Sequence, residues 1–321
     1  MTSPTEPGSR RRALVVGTGL IGGSIALGLR RRGWHVTGWD TDAGRAEQAL
    51  ATGVVDALGD DPEAEVAFVA TPAASAAGVA RLLLNDAARR TDAVVTDVSG
   101  VKTAIVGAAD HPRFIGGHPM AGSEQVGLHG ADPDLFEGAV WVLTPTPATD
   151  LESFDRLKGV VMSLGADVLV LSPADHDRLV AVVSHVPHLV AATLMNAASA
   201  GAEQDGALLR LAAGGFRDMT RVAAGHPGIW PDICTENAVP IVDALDALVA
   251  DLTAMRDRVA ASDRDALLGV LQQASAARRN LRRASPGRTT SPNCGFRCPT
   301  APACWRRSPP WPPTRASGFT T

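Results

Sequence analysis

Four short segments of this chain carry side chains that can move a proton or bind an anion. Asp97-Val98-Ser99-Gly100-Val101-Lys102 places an acid, a hydroxyl and an amine close together, and Gly116-Gly117-His118-Pro119-Met120-Ala121-Gly122-Ser123-Glu124 sets one histidine in a glycine-rich stretch. Ser184-His185-Val186-Pro187-His188 spaces two histidines three apart, which on a helix puts them on neighbouring parts of one face. Gly214-Gly215-Phe216-Arg217-Asp218-Met219-Thr220-Arg221 ends on an arginine. Imidazole titrates near neutrality and can accept a proton from a hydroxyl. A guanidinium recognises carboxylates bidentately. Taken singly, each has a plainer reading: His118 as a loop histidine bonded to backbone, His185 and His188 as satisfied core histidines, Arg221 as a surface cation.

A fifth motif binds phosphate. Gly17-Thr18-Gly19-Leu20-Ile21-Gly22 follows the apolar run Ala13-Leu14-Val15-Val16. In a strand–turn–helix, the first glycine permits the tight turn, the second lets backbone approach a pyrophosphate, and the third lets helix and strand pack closely. The helix N-terminus then offers its unpaired N–H groups to the phosphates. Asp40 ends the next apolar run, where a carboxylate accepts the ribose hydroxyls and repels a 2′-phosphate. With Thr41 and Asp42 following, NAD is expected rather than NADP. Thr71-Pro72, after a third run, falls where the carboxyl edge of such a sheet holds ligands, or is a simple strand exit.

Residues 1–10 read as a disordered N-terminus. Across 11–172, runs at 13–16, 35–39, 66–70, 93–96, 114–116, 140–143 and 168–171 alternate with Ala-, Leu- and Arg-rich helical stretches. This pattern predicts an α/β Rossmann-type doubly wound parallel sheet. Ser172-Pro173-Ala174-Asp175 is a helix start, and 173–283 shows helical spacing with no strand, which predicts an all-helical domain. Ile241, Ala244, Leu245, Leu248, Leu252 and Met255 form one apolar helix face, suited to an internal core or to a partner subunit.

Together, in this order behind the glycine motif, the segments resemble the prephenate and arogenate dehydrogenase family from about Ala13 to Arg283. The resemblance implies NAD-dependent oxidative decarboxylation of prephenate to 4-hydroxyphenylpyruvate, CO₂ and NADH in tyrosine biosynthesis, by a homodimer. The alternative substrate is arogenate, which carries an ammonium where prephenate carries a keto group; Asp218 and Glu124 are candidates to contact it. His118 matches the family's catalytic histidine, which accepts a hydrogen bond from the ring C4 hydroxyl. Arg221 and His188 match substrate-binding positions. Ser123 reaches substrate or nicotinamide, Glu124 sits at the pocket mouth, and His185 and His176 shape the pocket. Members often carry serine where this chain has Gly100; the serine here is one place earlier, at Ser99, so support for His118 depends on Ser99 or a water.

Composition narrows the alternatives. Thirty Lys and Arg against 34 Asp and Glu give a net charge of −4, with no footprint for nucleic acid or anionic membrane. Only Cys234 precedes residue 290, which fits a reducing cytoplasm. Cys294, Cys298 and Cys304 have no accompanying His or acid, so no metal is expected. The apolar run 13–29 resembles a signal peptide, but five glycines interrupt it. No lysine follows Ser172, which argues against a β-hydroxyacid dehydrogenase relying on a lysine there. A non-catalytic NAD-binding module is the remaining alternative. The tail 284–321 has eight prolines and no acid and reads as disordered or frameshifted: a shifted reading frame resembles the start of an ACT-type regulatory domain.

Overall fold

The computed structural model describes residues 10–284 except Thr91, Ser123, Glu124 and Val126; the N-terminal residues 1–9 and the tail from 285 lie outside it. Among the described residues, those through Leu268 form one compact unit and those from Gly269 a second.

Eight strands make one sheet in the order β3-β2-β1-β4-β5-β6-β7-β8: β1 (Arg12–Val16), β2 (His35–Trp39), β3 (Ala57–Leu58), β4 (Val66–Val69), β5 (Val94–Asp97), β6 (Phe114–Pro119), β7 (Val140–Thr144) and β8 (Asp167–Val170). Helices α1 (Leu20–Arg31), α2 (Ala43–Ala51), α3 (Ala73–Asn85), α4 (Thr103–Ala109) and α5 (Leu151–Ser163) connect them. Two buried clusters cover the two faces. One, around Ile25, Phe68, Phe136 and Trp141, includes α1 and α5; the other, around Leu14, Val69, Ala80 and Ile105, includes α3 and α4. Burial on both faces explains the continuous apolar strands of the centre.

The parallel expectation needs one correction. β1 to β6 pair in parallel, but β7 runs antiparallel to β6, with Gly116 opposite Thr144 and Pro119 opposite Trp141; β8 is parallel to β7. Parallel neighbours need a crossover, usually a helix. Between β6 and β7 the described chain holds only the 3₁₀ turn Leu128–Gly130, so it turns back at the carboxyl edge.

Beyond β8 come α6 (Pro173–Val180), a π turn (Ala181–His185), α7 (Val186–Gln204), α8 (Gly214–Thr220), α9 (Trp230–Glu236), α10 (Ala238–Ala260) and α11 (Arg264–Ala284). Ser172 caps α6 by accepting from the Asp175 N–H at 3.1 Å. The buried core of this half is small: Ala181, Val186 and Ile241, flanked by half-buried Leu189, Leu245 and Leu248. On α10 the expected apolar face is buried only at Ile241, while Val249 and Leu252 are more than half exposed. By length and composition alone, the stretch Pro173–Gln204 is apolar enough to cross a membrane, and 28% of its most apolar window is buried.

Candidate active site

The phosphate loop is built as its glycines require. Gly17 has φ +96°, and a Cβ there would lie 2.4 Å from the Ala70 carbonyl oxygen. At Gly22 a Cβ would lie 1.8 Å from the Gly17 carbonyl oxygen. A Cβ at Gly19 would meet nothing within 4 Å, and α1 starts there with no side-chain cap and no acid in its first turn. Leu20 and Ile21 are the first residues of that helix. An open backbone face at an uncapped, buried helix start suits a pyrophosphate. Asp40 accepts from the Thr18 N–H at 2.8 Å, the Thr18 hydroxyl at 3.1 Å and the Asp42 N–H at 3.0 Å. Burial alone would raise its pKa, but these donors and Arg45 outweigh it and hold the carboxyl below the usual range. Arg45, which the sequence reading did not connect with the site, lies 3.4 Å from both Asp40 oxygens.

Two buried hydroxyls at the carboxyl edge, Thr71 Oγ1 after β4 and Ser99 Oγ after β5, find no partner in the protein. Orphaned hydroxyls are rare unless a ligand or water completes them. Together with the open phosphate loop and the ionised Asp40, they fit a bound NAD. Pro72 directly precedes α3.

His118 sits near the end of β6. Its Nδ1 is 2.8 Å from His176 Nε2, and His176 Nδ1 is 2.8 Å from Asp177 Oδ1. Asp177 also accepts the backbone N–H groups of Lys102 and Thr103, each at 2.8 Å, at the start of α4. Behind β6, Lys102 is fully buried, paired with Asp97 and donating to the Gly117 carbonyl at 2.7 Å. Burial pushes the Lys102 amine down, against the pull of Asp97 and Asp177. His118 is held well below the usual imidazole range by burial first, then by His176, Lys102 and His185, against Asp177. It is a neutral base. The Ser99 hydroxyl makes no bond to it; His176 supplies the support instead. A Cβ at Gly100 would stand 3.8 Å from His118 Nε2, so a serine there would fit.

A cleft of about 550 Å³ runs from Leu20 at the start of α1 past Gln125 to His188, Arg221, His226 and Trp230. The ring of His188 stacks on Trp230 at 3.5 Å between centroids, and burial lowers its pKa. His185 does not line the cleft; it is buried, 3.1 Å from Asn237 Nδ2 through Nδ1, with its pKa lowered to about 4 by burial and His176. Both rings face Trp230, His185 edge-on at 6.3 Å between centroids and His188 flat against it. His226 accepts the Gly228 N–H on Nδ1 at 3.1 Å, which leaves Nε2–H as a donor in the neutral ring. No Asp or Glu lines the cleft among the described residues, and Asp218 is not among its walls. Ser123 and Glu124 lie outside the described residues.

Sequence reasoning did not foresee Trp230, His226, Asn237 or Asp177 here. Only the Pro- and Gly-rich turn His226-Pro227-Gly228-Ile229-Trp230-Pro231 carried a signal, an aromatic held in a rigid loop.

A Rossmann sheet with an open phosphate loop, an ionised acid after β2 and a buried neutral histidine beyond β5 define an NAD-dependent dehydrogenase. Residues 25–170 match the prephenate dehydrogenase nucleotide-binding domain, and residues 172–273 match the prephenate dehydrogenase dimerization domain. The chain belongs to the prephenate dehydrogenase family. It is 35% identical over 266 residues to the prephenate dehydrogenase of Bacillus subtilis, covering 79% of this chain and 71% of that protein. Among solved structures it resembles prephenate dehydrogenase from Aquifex aeolicus in complex with hydroxyphenyl propionate and NAD⁺, with a TM-score of 0.79 and 29% identity over 86% of this chain and all of that one. It also resembles Synechocystis arogenate dehydrogenase, with a TM-score of 0.73 and 36% identity over 84% of this chain and 99% of that one.

Proposed function

We propose that this enzyme converts prephenate to 4-hydroxyphenylpyruvate and CO₂ in tyrosine biosynthesis, using His118 as the base. The observation that carries the substrate choice is the cleft walled by Trp230, whose ring lies 6.3 Å from that of His185, one of the groups that act on His118. It presents Arg221, His188 and His226. Prephenate has two carboxylates and a keto side chain, which these hydrogen-bond donors suit.

His118 accepts the C4 hydroxyl proton at Nε2 as C4 gains carbonyl character. NAD, held by the 17–22 loop and Asp40, would supply the hydride acceptor for the C4 hydrogen. The electrons of the departing ring carboxylate flow into the ring as CO₂ leaves, and His118 returns its proton to the oxygen of the new phenol. Arg221 holds a carboxylate bidentately, and His188, fixed flat against Trp230, supplies a neutral hydrogen bond. Ser123 is assigned to the substrate or the nicotinamide, Glu124 to the pocket mouth, Ser99 and Thr71 to the nicotinamide side, and His185 to support through Asn237.

The nucleotide-binding domain spans 11–172 and the substrate and dimerisation domain 173–283, with 284–321 a tail. Exposed apolar positions on the π turn (Val182, Val183) and on α10 (Val242, Val249, Leu252) support a homodimer rather than a membrane span, and the cysteine usage supports a cytoplasmic site. NADH formation followed by absorbance, comparing kcat/KM for prephenate and arogenate, tests the reading. Prephenate should win by about tenfold or more, and His118→Asn should remove most activity. Preference for arogenate would reverse the substrate; no turnover despite NAD binding would leave a binding module.

A further inference from the structure

We propose that His176 and Asp177 are positioning residues of the base: they lock His118 into the tautomer whose Nε2 can accept a proton, and they stabilise the imidazolium it becomes. The proposal deepens the reading of His118 as the base, but the tautomer it requires exists without substrate.

A chain of contacts fixes where each hydrogen sits. Asp177 accepts two backbone N–H groups, one on each oxygen, at 2.8 Å. Those donors, and the His176 ring, hold its carboxyl ionised against the opposing effect of burial. An ionised carboxylate has no hydrogen to give. The 2.8 Å contact with His176 Nδ1 therefore carries the histidine's hydrogen. A neutral imidazole has one N–H, so Nε2 of His176 is a lone pair. That lone pair lies 2.8 Å from His118 Nδ1, which must donate. Nε2 of His118 is then the lone pair of its ring, 3.8 Å from where a Cβ on Gly100 would stand. One carboxylate thus sets the proton position two rings away.

The device spans the chain. His118 belongs to β6, while His176 and Asp177 belong to α6, and Asp177 holds the start of α4 as well. Asn237 donates to the Asp177 carbonyl at 2.9 Å and contacts His185, which ties α6 to the start of α10. The charged and titratable groups facing His118 are His176, Lys102, His185 and Asp177, and Asp177 alone favours the protonated ring. When Nε2 takes the hydroxyl proton, the Nδ1–H bond to His176 stays in place and the anion behind it offsets the new charge.

The first test uses the full-length protein labelled with ¹⁵N-histidine, without substrate or NAD. His118 and His176 should both show the Nδ1–H tautomer; an Nε2–H signal at His118 overturns the proposal. The second uses Asp177→Asn and His176→Gln, so that one variant remains if the other fails to fold. In each, kcat should fall by about a hundredfold, with KM and NAD affinity changed by about twofold or less. For Asp177→Asn the acid limb of the kcat–pH profile should move to lower pH, because the charge favouring protonated His118 is gone. Full kcat, or an unmoved limb, overturns it. If His118→Asn retains activity, the functional reading fails, and the tautomer result still stands by itself.

Discussion

His118, Arg221 and His185 show how burial sets the task of a side chain. His118 needs no proton removed before it can act, because burial first, and then His176, Lys102 and His185 beside it, keep it neutral. Activity should hold flat as pH falls through the ordinary imidazole range. Arg221 reaches the cleft from an exposed position, so its replacement harms binding rather than folding. Arg221→Ala should raise KM for the substrate roughly 10- to 100-fold, the worth of a charge-assisted pair, with NAD affinity unchanged by calorimetry. His226→Asp would place a carboxylate where the described walls have none. It should shift the ratio of kcat/KM values towards an ammonium-bearing substrate by about tenfold or more. His185 bears on stability. Its folded pKa of about 4 lies below the ordinary 6.5, so between these values the unfolded chain binds a proton that the folded one does not. Its contribution is full above pH 6.5 and lost as pH drops towards 4, about 2 kcal/mol in all. Urea unfolding should register that loss, and His185→Gln should flatten it.

Among the elements, α1 and the β5–β6 edge bear most directly on the chemistry. The α1 helix can approach the phosphate loop only because position 22 has no side chain. Gly22→Ala should push the helix away and weaken NAD binding by about tenfold or more, with substrate-independent fluorescence titration as the readout. Lys102→Met should leave the buried Asp97 carboxylate unpaired and cost about 3–5 kcal/mol in chemical unfolding. These elements also show what the sequence made legible. β-branched runs announced seven of the strands, and the spacing from Gly17 to Asp40 announced the loop and the acid. β3, two residues long, has too little pattern to read. The reversal of β7 was hidden because alternation and burial mark a strand but not its direction. His118 stood out by its glycine-rich setting, whereas its bond to His176 joins residues 58 apart and leaves no local trace. The same holds for Asp177 and the backbone of Lys102, 75 apart.

For the molecule as a whole, the helical half carries apolar surface that one subunit leaves uncovered. Val242, Val249, Leu252 and Val259 are each more than half exposed along α10. Leu252→Asp should yield a monomer in sedimentation and lower Tm, since an interface that stabilises by mass action is removed. The π turn Ala181–His185 has a consequence of another kind. Each residue of an α-helix turns the chain by about 100°. Deleting one residue there would relax the turn to ordinary helix and leave His188 facing as it does, because a π turn spreads nearly the same rotation over one more residue. Adding a residue to the helix with no such turn to absorb it would swing His188 around the axis, away from Trp230 and the cleft. Every side chain could keep its identity and the enzyme would still lose its site; what the turn conserves is a phase.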